Sequence, residues 1–545
     1  MNQEQLTESA WAARVVGPRL EHWAVQQPDK AFLHCENGWR SWAETERDSR
    51  RIAAGLQALG VGRGDRVALI SSTRDNLVLS FLALGRLGAV AVPLNTFLRG
   101  EFLRFQLADA AASTAIVDAP GLDSLTAIAD ELPDLARVVA LDAIPDPAPA
   151  LPTRVSLHAF ASVADSDADF TPPQLSLEDP LALIYTSGTT GLPKGCICSH
   201  GYFMASSIPC IEKDWIRHDD VLFTPFPLFH IAGLGLMLGG VLQTGASICF
   251  DLAFSASGFM QRVIDMRATV VHGIGPMGMA ILATAESSLD REHGLRLCTW
   301  PPMNAENQQR FEQRFGVDVH CGGYGQTESV PLATMSAAEA KNKRTALGRP
   351  TPYMEVRIVD DQDQPVATGQ TGEIIARPLR SQILYQGYWQ RPDATVEASR
   401  NLWHHTGDLG RADDDGYLYF VDRKKDAMRR RGENVSSFEL EQAILKHGGF
   451  AAVAAHAVPS ELAEDDIKVC LVPRPGVTPT PEELFAYFKK HLPYFAVPRY
   501  VEIMEALPVN ANGRVMKHKL RERGIGDAWD FEALDLRVER HERRG

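Results

Sequence analysis

Apolar and polar positions along this chain keep two periods. From Gly62 the apolar residues gather in short runs, Val67–Ile70, Val90–Leu94 and Thr114–Val117. The stretches between them, Asp75–Leu87 and Glu101–Ala110, repeat apolar residues at helical spacing. Strands alternating with helices predict β-α-β units and a largely parallel sheet. The pattern returns at Leu181 and predicts strands at Val221–Thr224, Ser247–Phe250, Thr269–His272 and Val317–Cys321, with a helix at Ala305–Phe315. After Gly348-Arg-Pro350 the texture changes. Met354–Val359, Gly372–Ala376 and Tyr417–Val421 are short strands set off by Asp, Gly and Gln turns, the pattern of a small antiparallel sheet or barrel. From Asp426 a helix at Ser437–Lys446, strands at Val453–Val458 and Val469–Val472 and a helix at Pro481–His491 predict a compact α+β unit. The fold class is therefore α/β: a large N-terminal domain, residues 1–424, of parallel-rich βαβ sheets plus a small antiparallel β-subdomain. A small α+β C-terminal domain, residues 425–545, follows a charged boundary at Asp422–Asp426.

Composition narrows the function. At 545 residues the chain is too long for one core. Its net charge of −14 gives no positive excess for nucleic acid, which is excluded as a main partner. Met1 to Arg14 has no hydrophobic segment, so no secretory signal is expected. The apolar stretch Ile231–Phe250 holds Gln243, Thr244, Ser247 and five glycines, and reads as a buried helix followed by a buried strand instead of a membrane span. Eight cysteines without framework spacing read as reduced core thiols of a cytoplasmic protein.

Three polar clusters stand out against this background. The first is Tyr185–Gly195, YTSGTTGLPKG, a loop between strands. Its glycines let backbone N–H groups approach a ligand closely, Thr186, Ser187, Thr189 and Thr190 add hydroxyls, and Lys194 adds a mobile cation. That combination suits a polyphosphate, although a polar surface turn shares the composition and the spacing is not that of a Walker P-loop. The second cluster is Tyr324-Gly-Gln-Thr-Glu-Ser329, at the carboxyl end of a predicted strand where ligands of parallel sheets collect. Tyr324 offers a flat face for a base, Thr327 a hydroxyl for a phosphate, and Glu328 a lone carboxylate of the kind that holds Mg²⁺ with phosphates and waters. The third is His405-Thr-Gly-Asp408 with Arg423, a carboxylate and an arginine suited to ribose hydroxyls.

These clusters, together with DRKKDAMRRRGENVSSFELE and a late NGRVMK, resemble in order and spacing the adenylate-forming superfamily of acyl- and aryl-CoA ligases, nonribosomal adenylation domains and luciferases. The resemblance runs from Gly62 to Arg514, and RRRGENVSSFELE looks most like the carnitine and crotonobetaine CoA ligases. It implies an acid–thiol ligase that uses ATP, Mg²⁺ and CoA on a small carboxylic acid. By resemblance, Thr186, Ser187, Gly188, Thr189, Thr190, Gly191 and Lys194 grip the β- and γ-phosphates. Tyr324, with Gly325 beside it, stacks on adenine, Thr327 meets the α-phosphate and Glu328 holds Mg²⁺. Asp408 and Arg423 take the ribose, and His230 stands at a gate beside the acyl carboxylate. Lys425 is the hinge of a mobile C-terminal domain, and Gly432 lines the pantetheine path. Beside it, Arg430 within Arg429-Arg-Arg431 offers bidentate contacts to CoA phosphates.

Two positions depart from the family pattern. Arg514 stands where relatives carry a catalytic lysine, keeping the charge with a planar fork, and Lys517 lies three residues later. Trp300 stands where relatives have a small turn, and could either fill the acyl pocket or stack on a ligand. The pocket is expected around Gly233, Leu234, His272–Met277, Thr299 and Cys321-Gly-Gly323, with Gly322 and Gly323 leaving space beside Tyr324. His230 in place of an aspartate argues against α-amino acids. Transfer to a carrier protein, luciferase-like oxygenation, and a nucleotide-binding homologue impaired at Arg514 are the rivals. A homodimer is the base-rate expectation.

Overall fold

The computed structural model describes residues 3–72, 74–186, 192–251, 253–424, 428–431, 433–435, 437–460, 464–508, 515 and 517–538. Packing of the chain defines two compact units. One comprises Met1–Thr96, Leu107–Ile184 and Gly195–Asp422, and the other Phe97–Gln106, Tyr185–Lys194 and Arg423–Gly545.

Two seven-stranded sheets, as counted among the described residues, organise the larger unit. In the first, Arg66–Ile70 lies between Val90–Pro93 and Thr114–Val117, all parallel, and Arg137–Ala140 and Ser156–Ala159 extend the sheet outward. Helix Asp75–Leu87 crosses over between two of these strands. Leu77, Val78, Phe81, Leu82 and Leu84 are all buried, so it is apolar nearly all round, as a helix inside a large core must be. It ends at Gly88, whose φ of +71° supplies the left-handed cap that a side chain would resist.

The second sheet runs Asp318–His320, Leu297–Thr299, Val270–His272, Val221–Thr224, Ser247–Phe250, Ala31–Cys35 and Gly38–Ser41. Its pairs are parallel except for the terminal hairpin Ala31–Cys35 with Gly38–Ser41. The period of two divides its faces. Phe223, Val271, Cys298 and Val319 pack with Phe259, Phe311 and Phe315 into one core, while Leu222, Val270 and Leu297 face the other. Helix Ala305–Phe315 presents Gln308, Phe311 and Phe315 inward, is capped by the Asn304 side chain accepting the Asn307 N–H at 2.8 Å, and stops at Gly316.

Trp300 resolves its two readings here. It is fully buried, with Phe259 and Phe311 rings 5.8 and 5.7 Å away, so it fills the helix-side core and not a ligand pocket. Gly273 and Gly278 are glycines because a Cβ at either would press on the Trp300 ring. Gly322 and Gly323 likewise do not leave space. A Cβ at Gly322 would run into Met335, and Gly323, at φ +136°, sits over Trp215.

Two small antiparallel sheets complete this unit. Tyr324–Gln326, Ser329–Thr334 and Arg349–Pro350 form one, and Met354–Val359, Gly372–Pro378, His404–Ala412 and Leu418–Arg423 the other. Ile231–Phe250 resolves into a π-helical stretch Ala232–Leu238, helix Gly239–Thr244 and strand Ser247–Phe250. No helix among the described residues is long and apolar enough to cross a membrane. All eight cysteines are free and seven are buried, and burial pushes the thiols of Cys35, Cys198, Cys210, Cys249, Cys298, Cys321 and Cys470 up, to about 11 for Cys470.

In the smaller unit, Phe450–Pro459 pairs antiparallel with Asp465–Pro473, which pairs parallel with Tyr500–Ile503. Helix Pro481–His491 opens on a capping box of Thr480 and Glu483 and closes on Lys489, Lys490 and His491, the charge order a helix dipole favours. The N-terminal helices Gln3–Ala12, Val16–Gln26 and Trp42–Ala58 and the hairpin between them are additions to the expected pattern.

A Cβ at Gly275 would collide with the Pro302 carbonyl, so Gly275→Ala forces rigid backbone apart. The variant is expected to lose about 1–3 kcal/mol of stability, read from its urea unfolding midpoint. A wild-type midpoint would show that this contact is soft.

Candidate active site

The second polar cluster is a hairpin. Tyr324–Gln326 and Ser329–Thr334 pair antiparallel, and the chain reverses through Thr327 and Glu328. The turn is tight enough that a Cβ at Gly325 would lie 2.8 Å from the Ser329 carbonyl. Tyr202 pins it from below: its phenol donates to the Thr327 carbonyl at 2.7 Å and accepts the Val330 N–H at 2.9 Å. Tyr202 belongs to helix His200–Ala205, which starts where strand Lys194–Ser199 ends, with the Ser199 hydroxyl accepting the Tyr202 N–H. The strand leaving the glycine-hydroxyl loop thus leads into the helix that supports the second cluster.

The hairpin and the third cluster meet. Asp408, only 6% exposed on strand His404–Ala412, accepts the Tyr324 phenol at 2.7 Å and the Gln326 amide at 2.9 Å through the same Oδ2. The backbone that presents it is held on both sides of Gly407. Thr406 Oγ1 donates to the Ile374 carbonyl at 2.7 Å and accepts the Asp408 N–H at 3.1 Å, and the Gly407 N–H donates to Glu373 Oε1 at 3.1 Å. Gly407 itself sits at φ +70°. The Gln326 carbonyl oxygen meets His404 Nε2 at 3.2 Å, which makes that nitrogen the donor, and burial pushes the His404 imidazole down.

Glu328 is 8% exposed and is held by a segment that composition did not single out. Residues 386–389 add antiparallel to strand Lys194–Ser199 through Gln386 N–H to Ile197 O, Ile197 N–H to Gly387 O and Trp389 N–H to Gly195 O. That brings the Tyr388 phenol to Glu328 Oε1 at 2.7 Å and the Tyr385 N–H to the Glu328 carbonyl at 3.0 Å. Burial, reinforced by the Glu328 charge, pushes both phenols well above their ordinary range, so they remain donors. No ion pair forms on Glu328 among the described residues, and no cluster of three or more ligating side chains exists there. A lone, nearly buried carboxylate with only neutral donors fits one protein ligand of a phosphate-bound Mg²⁺.

The remaining predicted residues fall as follows. His230 closes the turn Pro227–His230, with its N–H to the Pro227 carbonyl at 3.3 Å, its ring 4.7 Å from Phe229, and its carbonyl accepting the Leu234 N–H. Thr186 ends one strand and Lys194 begins the next, with Thr186 Oγ1 donating to the Lys194 carbonyl at 3.5 Å. Ser187, Gly188, Thr189, Thr190, Gly191, Lys425, Gly432 and Arg514 lie outside the described residues, as does the side chain of Arg423, the last residue of Leu418–Arg423. Arg430 corrects the expectation of a cation facing CoA. It is 4% exposed, donates to the Val497 carbonyl and pairs with Asp466 at 3.3 Å, so its charge is spent inside the smaller unit. Lys517 is also engaged, on Ser437 and Glu441 at 2.6 Å each.

The family model for AMP-binding enzymes matches residues 20–389, and that for the AMP-binding enzyme C-terminal domain matches residues 439–514. A crotonobetaine/carnitine–CoA ligase of Salmonella arizonae is 31% identical over 493 residues, covering 88% of this chain and 93% of its own. A feruloyl-CoA synthase of an Amycolatopsis species is 32% identical over 488 residues, covering 89% and 94%. A double mutant of o-succinylbenzoate CoA synthetase from Bacillus subtilis, solved with a product analogue, shares the fold at a TM-score of 0.80 over 93% of this chain and 98% of its own, with 24% identity.

Three histidines behind this region are buried neutral. Burial pushes His200 and His320 down to about 4 and His272 to about 3. An unfolded histidine titrates near ~6.5, so as pH falls the unfolded state takes up these protons first. Their contribution is complete above about pH 7 and is lost below about 6.5. Stability from urea midpoints is expected to fall between pH 7.5 and 5.5 by about 1 kcal/mol per histidine, above the range where carboxylates titrate. Unchanged midpoints across that window would contradict the burial of neutral rings.

Proposed function

This chain belongs to the AMP-binding enzyme family, and from that premise we propose how its site performs an AMP-forming acid–thiol ligation with ATP and CoA. The observation that carries the reading is the junction of two nearly buried carboxylates with one hairpin: Asp408 on Tyr324 and Gln326, and Glu328 at the turn. Asp408 accepts ribose hydroxyls, a role Arg423 shares, Tyr324 flanks the adenine at Gly325, and Thr327 meets the α-phosphate. Glu328, oriented by Tyr388, would hold Mg²⁺, which when bound would neutralise phosphate charge. Thr186 to Lys194 clamp the departing β- and γ-phosphates.

The acid's carboxylate attacks the α-phosphorus, the bond to the bridging oxygen breaks, and pyrophosphate leaves with the charge. The protein's part is positioning and charge stabilisation, since this chemistry needs little else. Arg514 steadies the reacting carboxylate and α-phosphate, and His230 gates the acyl side. Residues 425–545 then turn about Lys425, the CoA thiol reaches the acyl-adenylate along Gly432, and the thioester forms as AMP leaves. The thiolate is the attacking species, and no cysteine of the chain is required. Eight free thiols fit a cytoplasmic setting, and a homodimer is the oligomer we expect.

The test is a pyrophosphate-release screen over carboxylic acids with ATP and Mg²⁺, with and without CoA. At least one acid is expected to release pyrophosphate, and with CoA to yield acyl-CoA and AMP in equal amounts. Nucleotide binding without pyrophosphate release from any acid would point to the impaired homologue, and release without thioester to a carrier-protein acceptor.

A further inference from the structure

The second large sheet ends in a row of polar residues. Register sets His272 beside Thr299 and Thr299 beside His320, and one further step of the neighbouring ladder sets Thr224 beside His272. By the period of two, this row shares the face of Leu222, Val270 and Leu297, opposite the Trp300 core. All four residues are buried, His272 to 8% exposure and Thr299 to 3%.

Their hydrogen bonds are incomplete. Thr224 Oγ1 donates to the His272 carbonyl at 2.8 Å, and His320 Nε2 donates to the Met335 carbonyl at 3.0 Å. His320 Nδ1 is buried without a hydrogen-bond partner among the described residues, and the His272 ring and the Thr299 hydroxyl, beside it in the row, make no side-chain hydrogen bond among them. Buried polar groups are normally satisfied, and ligand groups collect at the carboxyl ends of parallel strands, so a row of two imidazoles and two hydroxyls with bonding capacity to spare at that place suits a polar ligand group. The Phe226 ring, 5.4 Å from His272, joins this row to the turn that ends at His230.

We propose that His272, with Thr299 beside it, reads a hydroxyl group on the acid, so that the enzyme activates hydroxyl-bearing carboxylic acids. The proposal rests on the ligase reading and on the same site. A neutral imidazole offers one donor and one acceptor, and a hydroxyl returns one of each. Burial holds the ring neutral, so it cannot pair with a second carboxylate on the acid. A plain hydrocarbon would leave the ring unmatched. Sites built around a hydrogen bond discriminate against the analogue that lacks it.

The test uses two matched pairs, cinnamic with 4-hydroxycinnamic acid and hexanoic with 6-hydroxyhexanoic acid, assayed for thioester formation. In at least one pair the hydroxylated acid is expected to have a kcat/KM higher by about 10-fold or more. His272→Leu should erase that preference, the hydroxylated member losing about 10-fold more kcat/KM than its partner, while His272→Gln keeps part of it. Equal kcat/KM within both pairs for the wild type, or equal losses in His272→Leu, would overturn the proposal. If His272→Leu does not fold, the wild-type pairs and Thr299→Val decide. Binding of the corresponding non-hydrolysable acyl-sulfamoyl adenosines separates the two levels. A hydroxyl preference in binding without any thioester would sink the ligase reading and leave His272 standing. Thioester formed equally from both members would do the reverse.

Discussion

A carboxylate kept nearly out of water must be given donors, and the site is arranged around two such demands. Glu328 is met by Tyr388, and Asp408 by Tyr324 and Gln326. Each bond ties together segments that are far apart in the chain. Tyr388 comes from a stretch that adds as an extra strand on Lys194–Ser199, and Asp408 from a separate antiparallel sheet. The phenol of Tyr388 orients Glu328 without cancelling its charge, so that negative potential remains available for a cation.

The scaffold supplies the rigidity this needs. Parallel strands make up most of the two large sheets, and the small antiparallel sheets carry the hairpin and the Asp408 strand. Glycine enters where backbone must approach backbone, as at Gly325 against Ser329, and where the chain takes a left-handed turn, as at Gly407. Tyr202 links these levels, because the helix that begins after the glycine-hydroxyl loop buttresses the hairpin turn from inside.

Much of this was legible in the chain. Helices such as Asp75–Leu87 and Ala305–Phe315 were readable to the residue because their periodicity is bounded by Gly88 and Gly316. Motif residues Tyr324, Glu328 and Asp408 could be named because hydroxyls, carboxylates and glycines concentrate there. Less visible were the residues that hold them. Tyr388 sits in a tyrosine-rich segment, YQGYW, whose partner is set only by tertiary pairing, and Gln326 was passed over between two louder neighbours. The Ser41–Glu44 capping box was a readable start signal for helix Trp42–Ala58. Composition misled where burial decides: Arg430 looked like a cation for CoA phosphates, and Trp300, Gly322 and Gly323 looked like parts of the acyl pocket, yet all four answer to packing.

The central claim is that Glu328, oriented by Tyr388, is the protein's hold on the metal that accompanies ATP. Calorimetric titration of ATP into wild type and Glu328→Gln, with and without Mg²⁺, tests it most directly. The account predicts that Mg²⁺ tightens ATP binding to the wild type and that the gain disappears in Glu328→Gln, while metal-free binding stays alike. An equal Mg²⁺ gain in both proteins would contradict it.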